Sequence, residues 1–246
     1  MAAEVKLSDR LMAVASLIPP GSTLVDVGTD HGYLPIYAVL QGICPSAVAA
    51  DVNAGPLERA AGHVEEAGLS DRIRLIRSDG LAEMGGLEGL DGPLSLSITG
   101  MGGPLITRII TEFPEVTARF SRVIASPQSG VREFRLSLED AGFPIEDEVM
   151  VEDDGKFYTI IRFIPVPAGT AESPFPRELT LRFGRALLEK RDPVLKAALE
   201  RELARSEGIA KSLRAASATA EISDRLAEVE EDIDLCTKAL EAINAE

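Results

Sequence analysis

The sequence predicts an α/β fold: a doubly wound, mostly parallel sheet that closes with an antiparallel hairpin and is followed by helices. Three observations carry this. Short runs rich in Val, Ile and Leu alternate with amphipathic stretches over residues 1–164, the pattern of a parallel sheet covered on both faces. Four prolines then fall within Ile164–Pro176, which forbids a helix there and favours an extended linker. Beyond the linker, apolar residues recur at spacings of mostly three, four and seven, with no strand pattern, as amphipathic helices require.

The predicted strands are, in order, Thr23–Val27, Ser46–Asp51, Ile73–Arg77, Leu94–Thr99 and Arg122–Ala125. Helical patterns lie between them at Leu34–Leu40, Pro56–Ala67, Pro104–Glu112 and Val131–Ala141. Pro56 suits a first helical turn with Asn53 near the cap. Two further β-like runs, Ile145–Val151 and Phe157–Phe163, are joined through Asp154-Gly155, a hairpin signal. Seven strands ending this way are the architecture of Rossmann-like class I methyltransferases, an analogy of fold that carries no function alone. In the tail, Leu179, Phe183, Leu187, Val194, Leu195, Leu199, Leu203, Ile209 and Leu213 form one stripe. Ile222, Leu226, Val229, Ile233, Leu240 and Ile243 form another. They predict two long helices in an α-helical coiled-coil hairpin, the first kinked at Pro193 and the stripe changing phase near Ser217-Ala218-Thr219. Such stripes serve packing or dimerisation equally well. The expected division is therefore a ligand-binding domain over 1–164, a linker over 165–176 and a helical domain over 177–246.

Charge narrows the function classes. The chain has a formal net charge of −15, which argues against indiscriminate binding to nucleic acid or anionic membrane. It leaves a local basic site open: Pro176–Arg214 holds 10 Lys and Arg against 6 Asp and Glu, whereas acidic residues dominate from Ala215 onward. Two cysteines, Cys44 and Cys236, offer neither a disulfide framework nor a metal-ligand cluster and fit a reducing compartment. The N-terminus reads as no signal peptide, and no apolar run approaches the ~20 residues of a membrane span. A soluble, cytoplasmic protein is expected, without metal or membrane association.

The segment richest in chemistry is Asp26-Val27-Gly28-Thr29-Asp30-His31-Gly32-Tyr33-Leu34-Pro35. Here a buried strand enters a two-glycine turn, and glycine lets backbone approach a ligand closely. The spacing departs from the dinucleotide fingerprint, because Asp30 stands where a second glycine is needed. A carboxylate there repels a pyrophosphate and suits a cationic or amino-bearing ligand, which favours S-adenosylmethionine over a dinucleotide. A bland structural turn remains the alternative. Asp51 ends the next strand, about where this fold grips ribose hydroxyls; its other reading is a helix cap. Ser78-Asp79-Gly80 follows the third strand, where Asp79 can accept an adenine amino group or simply make a turn. Gly100-Met101-Gly102-Gly103 follows the fourth and leaves almost no side-chain wall, so that a base or a methyl donor can sit against backbone. Met101 packs on adenine or fills a gap. Gln128 follows the fifth strand and can present an amide to a base edge.

Taken together, Leu7-Ser8-Asp9-Arg10-Leu11, the Asp26–Pro35 segment, Asp79-Gly80-Leu81, Gly100-Met101-Gly102-Gly103, Lys156-Phe157-Tyr158 and the tail's Phe183-Gly184 and Pro193-Val194 resemble the bacterial tRNA (adenine-N1)-methyltransferase family that modifies adenine 22. The resemblance covers nearly the whole chain. It implies a Rossmann-like catalytic domain, a C-terminal coiled coil, S-adenosyl-L-methionine as methyl donor and tRNA as partner. One departure is Ser126-Pro127-Gln128 where family members commonly carry Gln-Pro-Asn. The implied cofactor site comprises Asp26, Gly28, Asp30, Gly32, Asp51, Val52, Ser78, Asp79, Gly80, Gly100, Met101 and Gly102. Asp30, His31, Gln128 and Tyr158 are the expected catalytic residues. Asp30 would stabilise developing positive charge, His31 would position the base or serve structure alone, and Tyr158 would stack on a flipped base or be an ordinary sheet aromatic. His63 reads as a surface residue. RNA contacts are expected from Arg10, Arg182, Arg185, Lys190 and Arg191, in a monomer or weak dimer. The rival readings are a methyltransferase for a small molecule or protein, and a non-catalytic binding module.

Overall fold

The structure, a computed structural model, describes residues 5–84, 87, 90, 92–169, 172–216 and 219–245. The chain divides into two compact units, Met1–Ala171 and Glu172–Glu246.

The first unit opens with α1 (Asp9–Ser16), an element the apolar pattern left unmarked. Its start is set by Ser8, whose hydroxyl accepts from the Leu11 N–H at 3.4 Å, a side-chain cap for an otherwise orphaned donor. There follow β1 (Thr23–Val27), α2 (Tyr33–Leu40), β2 (Ala47–Asp51), α3 (Ala54–Glu66), β3 (Ile73–Arg77), β4 (Leu94–Thr99), α4 (Gly103–Glu112) and α5 (Pro114–Thr117). The unit ends with β5 (Phe120–Ser126), α6 (Val131–Asp140), β6 (Ile145–Asp153) and β7 (Lys156–Phe163). The seven strands form one sheet of order β3-β2-β1-β4-β5-β7-β6. The first five run parallel, while β7 pairs antiparallel with both β5 and β6. The β6–β7 turn is Asp154-Gly155, with φ of 50° and 70°, the left-handed pair that a tight hairpin demands.

Strand alternation feeds two cores. Val25, Val27, Val48, Ala50, Val123 and Ala125 meet Ile106 and Ile110 of α4 and Phe134 and Leu138 of α6 on one face. Leu24, Ala47, Ala49 and Ile124 point the other way, toward Val14 of α1, Ile36 and Val39 of α2 and Val64 of α3. β1 is buried at every position, which is why it reads as a continuous apolar run broken only by Asp26. The order reverses between β1 and β4, since β2 lies on one side of β1 and β4 on the other. That crevice, at the carboxyl ends of the strands, is where open α/β sheets bind ligands. One buried ion pair ties α6 to the hairpin: Arg135 Nε lies 2.8 Å from Glu148 Oε1, with side chains 2% and 0% exposed.

In the second unit, the expected first long helix is three helices: α7 (Arg177–Phe183), α8 (Arg185–Glu189) and α9 (Pro193–Ala215). Gly184, at φ 93° and ψ 126°, breaks the first from the second. Pro193 does not kink a helix. It opens α9, with the Asp192 carboxylate accepting from the Val194 and Leu195 N–H groups at 2.9 Å; a missing N–H costs nothing at that position. Thr219 caps α10 (Ala220–Asn244). Of the segment where the stripe was expected to change phase, Ser217 and Ala218 lie outside the described residues. Lys196 meets Asn244 at 2.9 Å and Arg214 meets Glu230 at 2.7 Å, so α9 and α10 run antiparallel. Leu195, Leu199 and Ala210 are buried on one helix, and Val229, Cys236, Ala239 and Ile243 on the other.

Candidate functional site

At the reversal of strand order a cleft of about 520 Å³ opens. It is lined by Asp26, the Gly28–Leu34 turn, Asp51, Thr99, Gly100, Met101 and Gln128, with Arg10 and Leu11 of α1 closing one side. Its floor is built by backbone. The Gly28 and Thr29 N–H groups both donate to the Ala50 carbonyl, at 2.8 and 2.9 Å, which pins the turn after β1 to β2. Gly28 has φ 80°, and a Cβ there would collide with the Met101 methyl. The positive φ is what favours glycine here, since the Met101 methyl is the end of a flexible side chain that could shift. The Gln128 N–H donates to the Met101 carbonyl at 2.9 Å and so fastens the β5 loop to the glycine loop.

Asp26 sits at the base of the cleft, 5% exposed, with the Ser97 hydroxyl donating to its carboxylate at 2.6 Å. Burial pushes its pKa above the ordinary carboxylate value; hydrogen bonds from Ser97 and Thr29 oppose this, and the charge of Asp51 adds to it. Asp51 accepts from the Asn53 N–H at 2.7 Å, while Asn53 caps α3 without a side-chain bond. The acidic residue thus shapes the turn and faces the cleft at once. Asp30 stands exposed at the rim. One of its oxygens accepts from Arg59 Nη2 at 2.9 Å and the other lies 3.4 Å from His31 Nε2.

Beside Asp30, three rings gather. His31, Tyr33 and His63 lie 5.0–5.6 Å apart by centroid, with planes within 29° of parallel. His63 Nδ1 is 2.9 Å from the His31 carbonyl; a carbonyl only accepts, so Nδ1 donates. The expectation that His63 is a plain surface residue is therefore corrected: it braces the turn that carries the site. Arg59, which orients Asp30, escaped the sequence reading too. Both lie on α3 some thirty residues from the turn. The helical period of α3, extended over Arg59 and His63 at i and i+4, was the signal available.

The remaining expected cofactor residues divide. Val52, Ser78 and Asp79 line a neighbouring cavity of about 490 Å³ with Ile76, Arg77 and Glu83. There the Ser78 hydroxyl donates to the Gly80 carbonyl at 2.9 Å, and Asp79 accepts from Arg108 at 3.2 Å. Gly80 and Gly102 line neither cavity. Gly80 makes room for the Ile109 side chain, and Gly102 caps α4. Tyr158 does not line the cleft either; its ring lies beneath the Arg10 guanidinium, 5.4 Å from centroid to Cζ. Arg10 itself lines the cleft; the other expected RNA contacts lie on the helical unit. Of those, Arg182 pairs with Asp232 at 2.7 Å and Arg185 with Glu189 at 2.9 Å, whereas Lys190 and Arg191 are exposed.

With Asp26, Asp30 and Asp51 converging, the cleft favours a ligand that carries positive charge and sugar hydroxyls, and it disfavours a pyrophosphate. No group of three His, Cys, Asp or Glu residues fit to hold a metal occurs among the described residues.

The chain is similar to known methyltransferases over nearly its whole length. A methyltransferase domain model matches residues 7–161. The tRNA (adenine(22)-N(1))-methyltransferase of Bacillus subtilis (strain 168) is 29% identical over 97% of this chain and 98% of its own. The crystal structure of the B. subtilis M1A22 tRNA methyltransferase TrmK superposes with a TM-score of 0.80, at 30% identity over 96% of this chain and all of that one. The M. capricolum TrmK, solved with the cofactor product S-adenosyl-homocysteine, gives a TM-score of 0.79 at 27% identity over 97% and 99% of the two chains. End-to-end coverage at this identity, over both the sheet and the helical tail, makes the chain a member of the bacterial tRNA (adenine(22)-N(1))-methyltransferase family.

Proposed function

We propose that the chain transfers a methyl group from S-adenosyl-L-methionine to N1 of adenine 22 in tRNA. The observation that carries this is the cleft at the β1–β4 reversal, three carboxylates around a two-glycine turn, in a chain that matches the tRNA-modifying relative over its whole length.

The residues present fit the cofactor. Asp51, at the end of β2, accepts from ribose hydroxyls. Gly28 and Gly100 bring backbone against the ligand, and Asp26 and Asp30 offset the positive charge of an ammonium and a sulfonium. Val52 and Asp79, in the adjoining loops, suit the purine end. When bound, S-adenosylmethionine supplies an electrophilic methyl group. The protein's own work is placement: the cleft holds the adenine N1 lone pair in line with that methyl, and this proximity carries much of the rate. Methylation at N1 leaves the base cationic. Asp30 stands at the rim, fixed by Arg59, where its carboxylate lowers the energy of that developing charge. Gln128 offers an amide to the base edge. His31 and Tyr33, braced by His63, form the side wall on which a base extruded from the RNA can stack.

Incubating the chain with labelled S-adenosylmethionine and bulk tRNA, followed by nucleoside mapping, tests the reading. Label in N1-methyladenosine is the expected result; label absent from RNA overturns it.

A further inference from the structure

Arg10 is the anomaly of the cleft. It is a cation in an otherwise acidic wall, yet its guanidinium forms no ion pair among the described residues. Its backbone N–H is anchored by Asp153, at 3.3 Å, and its guanidinium is laid over the Tyr158 ring, so the backbone and the side-chain end each have a fixed neighbour. Its Nη1 is buried and has no hydrogen-bond partner. Buried donors are normally satisfied, and a charged one is costly to leave open. Arg10 lines the same cavity as Asp30 and Gln128. A preorganised guanidinium with a donor left open, on a residue that lines a ligand cleft, suits a planar or tetrahedral oxyanion, which such a group binds through two parallel N–H bonds.

We propose that Arg10 is an oxyanion-binding residue of the reaction cleft, held in position by the Tyr158 ring. This rests on the function proposed above, which brings two oxyanions to the cleft: the α-carboxylate of the methionine portion of the cofactor, and an RNA phosphate beside the target base. Tyr158 then serves the site through Arg10, not by stacking on the base.

The test compares wild type, Arg10→Gln and Arg10→Lys by calorimetry. The ligands are S-adenosyl-homocysteine, its decarboxylated analogue and unmodified tRNA over a salt series. With the carboxylate as partner, Arg10→Gln weakens S-adenosyl-homocysteine binding by about 10- to 100-fold, the range of a charge-assisted hydrogen bond. The decarboxylated analogue is then unaffected. With a phosphate as partner, S-adenosyl-homocysteine binds as before, but tRNA affinity falls and its salt slope becomes shallower by about 0.7–0.9, one phosphate contact. Arg10→Lys keeps the charge and loses the fork, so it recovers part of either loss and provides the reading should the Gln variant fold poorly. A wild type that binds both ligands, with both variants indistinguishable from it, overturns this inference alone. A wild type that binds neither ligand overturns the proposed function and this inference together.

Discussion

At the scale of single residues, Asp26 is a buried carboxyl at the base of the cleft. Its pKa lies above the ordinary value, chiefly because burial disfavours the charged form. A carboxyl group raised in the folded state stabilises the fold fully at pH below its unfolded value, and that contribution is lost as pH rises through the folded value. At neutral pH, above the unfolded value, that contribution is diminished. Asp26→Asn is expected to raise the melting temperature at pH 7 while weakening S-adenosyl-homocysteine binding, as measured by thermal melts and calorimetry on one preparation. A lowered melting temperature would contradict the role of burial. Asp26, Asp30 and Asp51 were legible in the sequence because Asp26 lies within β1, Asp30 just after it and Asp51 at the end of β2, strands that the apolar pattern identifies. His63 and Arg59 were not, because their roles come from α3 packing beside the turn, a contact across some thirty residues that no local pattern encodes. Tyr158 was legible as an aromatic, but its neighbour Arg10 lies about 150 residues away in sequence, a pairing that no local pattern encodes.

At the scale of elements, the parallel strands were the most legible part of the fold. β1, β3 and β4 keep the bounds that the apolar pattern predicts; β1 and β4 are buried at nearly every position, while β3, at the sheet edge, intersperses Ile and Leu with exposed or half-exposed Arg. The hairpin followed from Asp154-Gly155, whose positive φ values few other pairs adopt. The helical tail was harder. Its apolar stripe continues through Gly184 and Arg191-Asp192-Pro193, so periodicity alone extends one helix across positions where backbone and capping chemistry end two. The β6–β7 hairpin, which anchors Arg10 through Asp153, is itself tied to α6 by the Arg135–Glu148 pair. Removing one member strands a buried charge, so Glu148→Ala should cost about 3–5 kcal/mol in denaturant unfolding. The double variant Arg135→Met, Glu148→Leu should recover much of that loss. Equal destabilisation by single and double variants would show that the charges do not act as a pair.

At the scale of the whole molecule, a net charge of −15 must coexist with a polyanionic substrate. The helical unit concentrates basic residues before Arg214, but Arg182 and Arg185 are already engaged with Asp232 and Glu189. Lys190 and Arg191 are among its exposed basic residues, on the turn between α8 and α9. Reversing both to Glu should weaken tRNA binding and flatten its salt dependence, while S-adenosyl-homocysteine affinity is unchanged; unchanged tRNA affinity would remove this turn from the RNA surface. The acidic surplus still matters, because it disfavours RNA held by charge alone and leaves recognition to shape and to the cleft.

The claim that organises these scales is that one adenine is methylated at N1 in the cleft beside Asp30. The most direct test uses an unmodified tRNA transcript, S-adenosylmethionine and the purified chain, read by primer extension and nucleoside mass analysis, with a transcript carrying guanine at position 22 alongside. The account predicts a reverse-transcription stop at position 22, N1-methyladenosine in the digest, and neither signal from the guanine transcript. Methylation at another position, or equal incorporation into both transcripts, would contradict it.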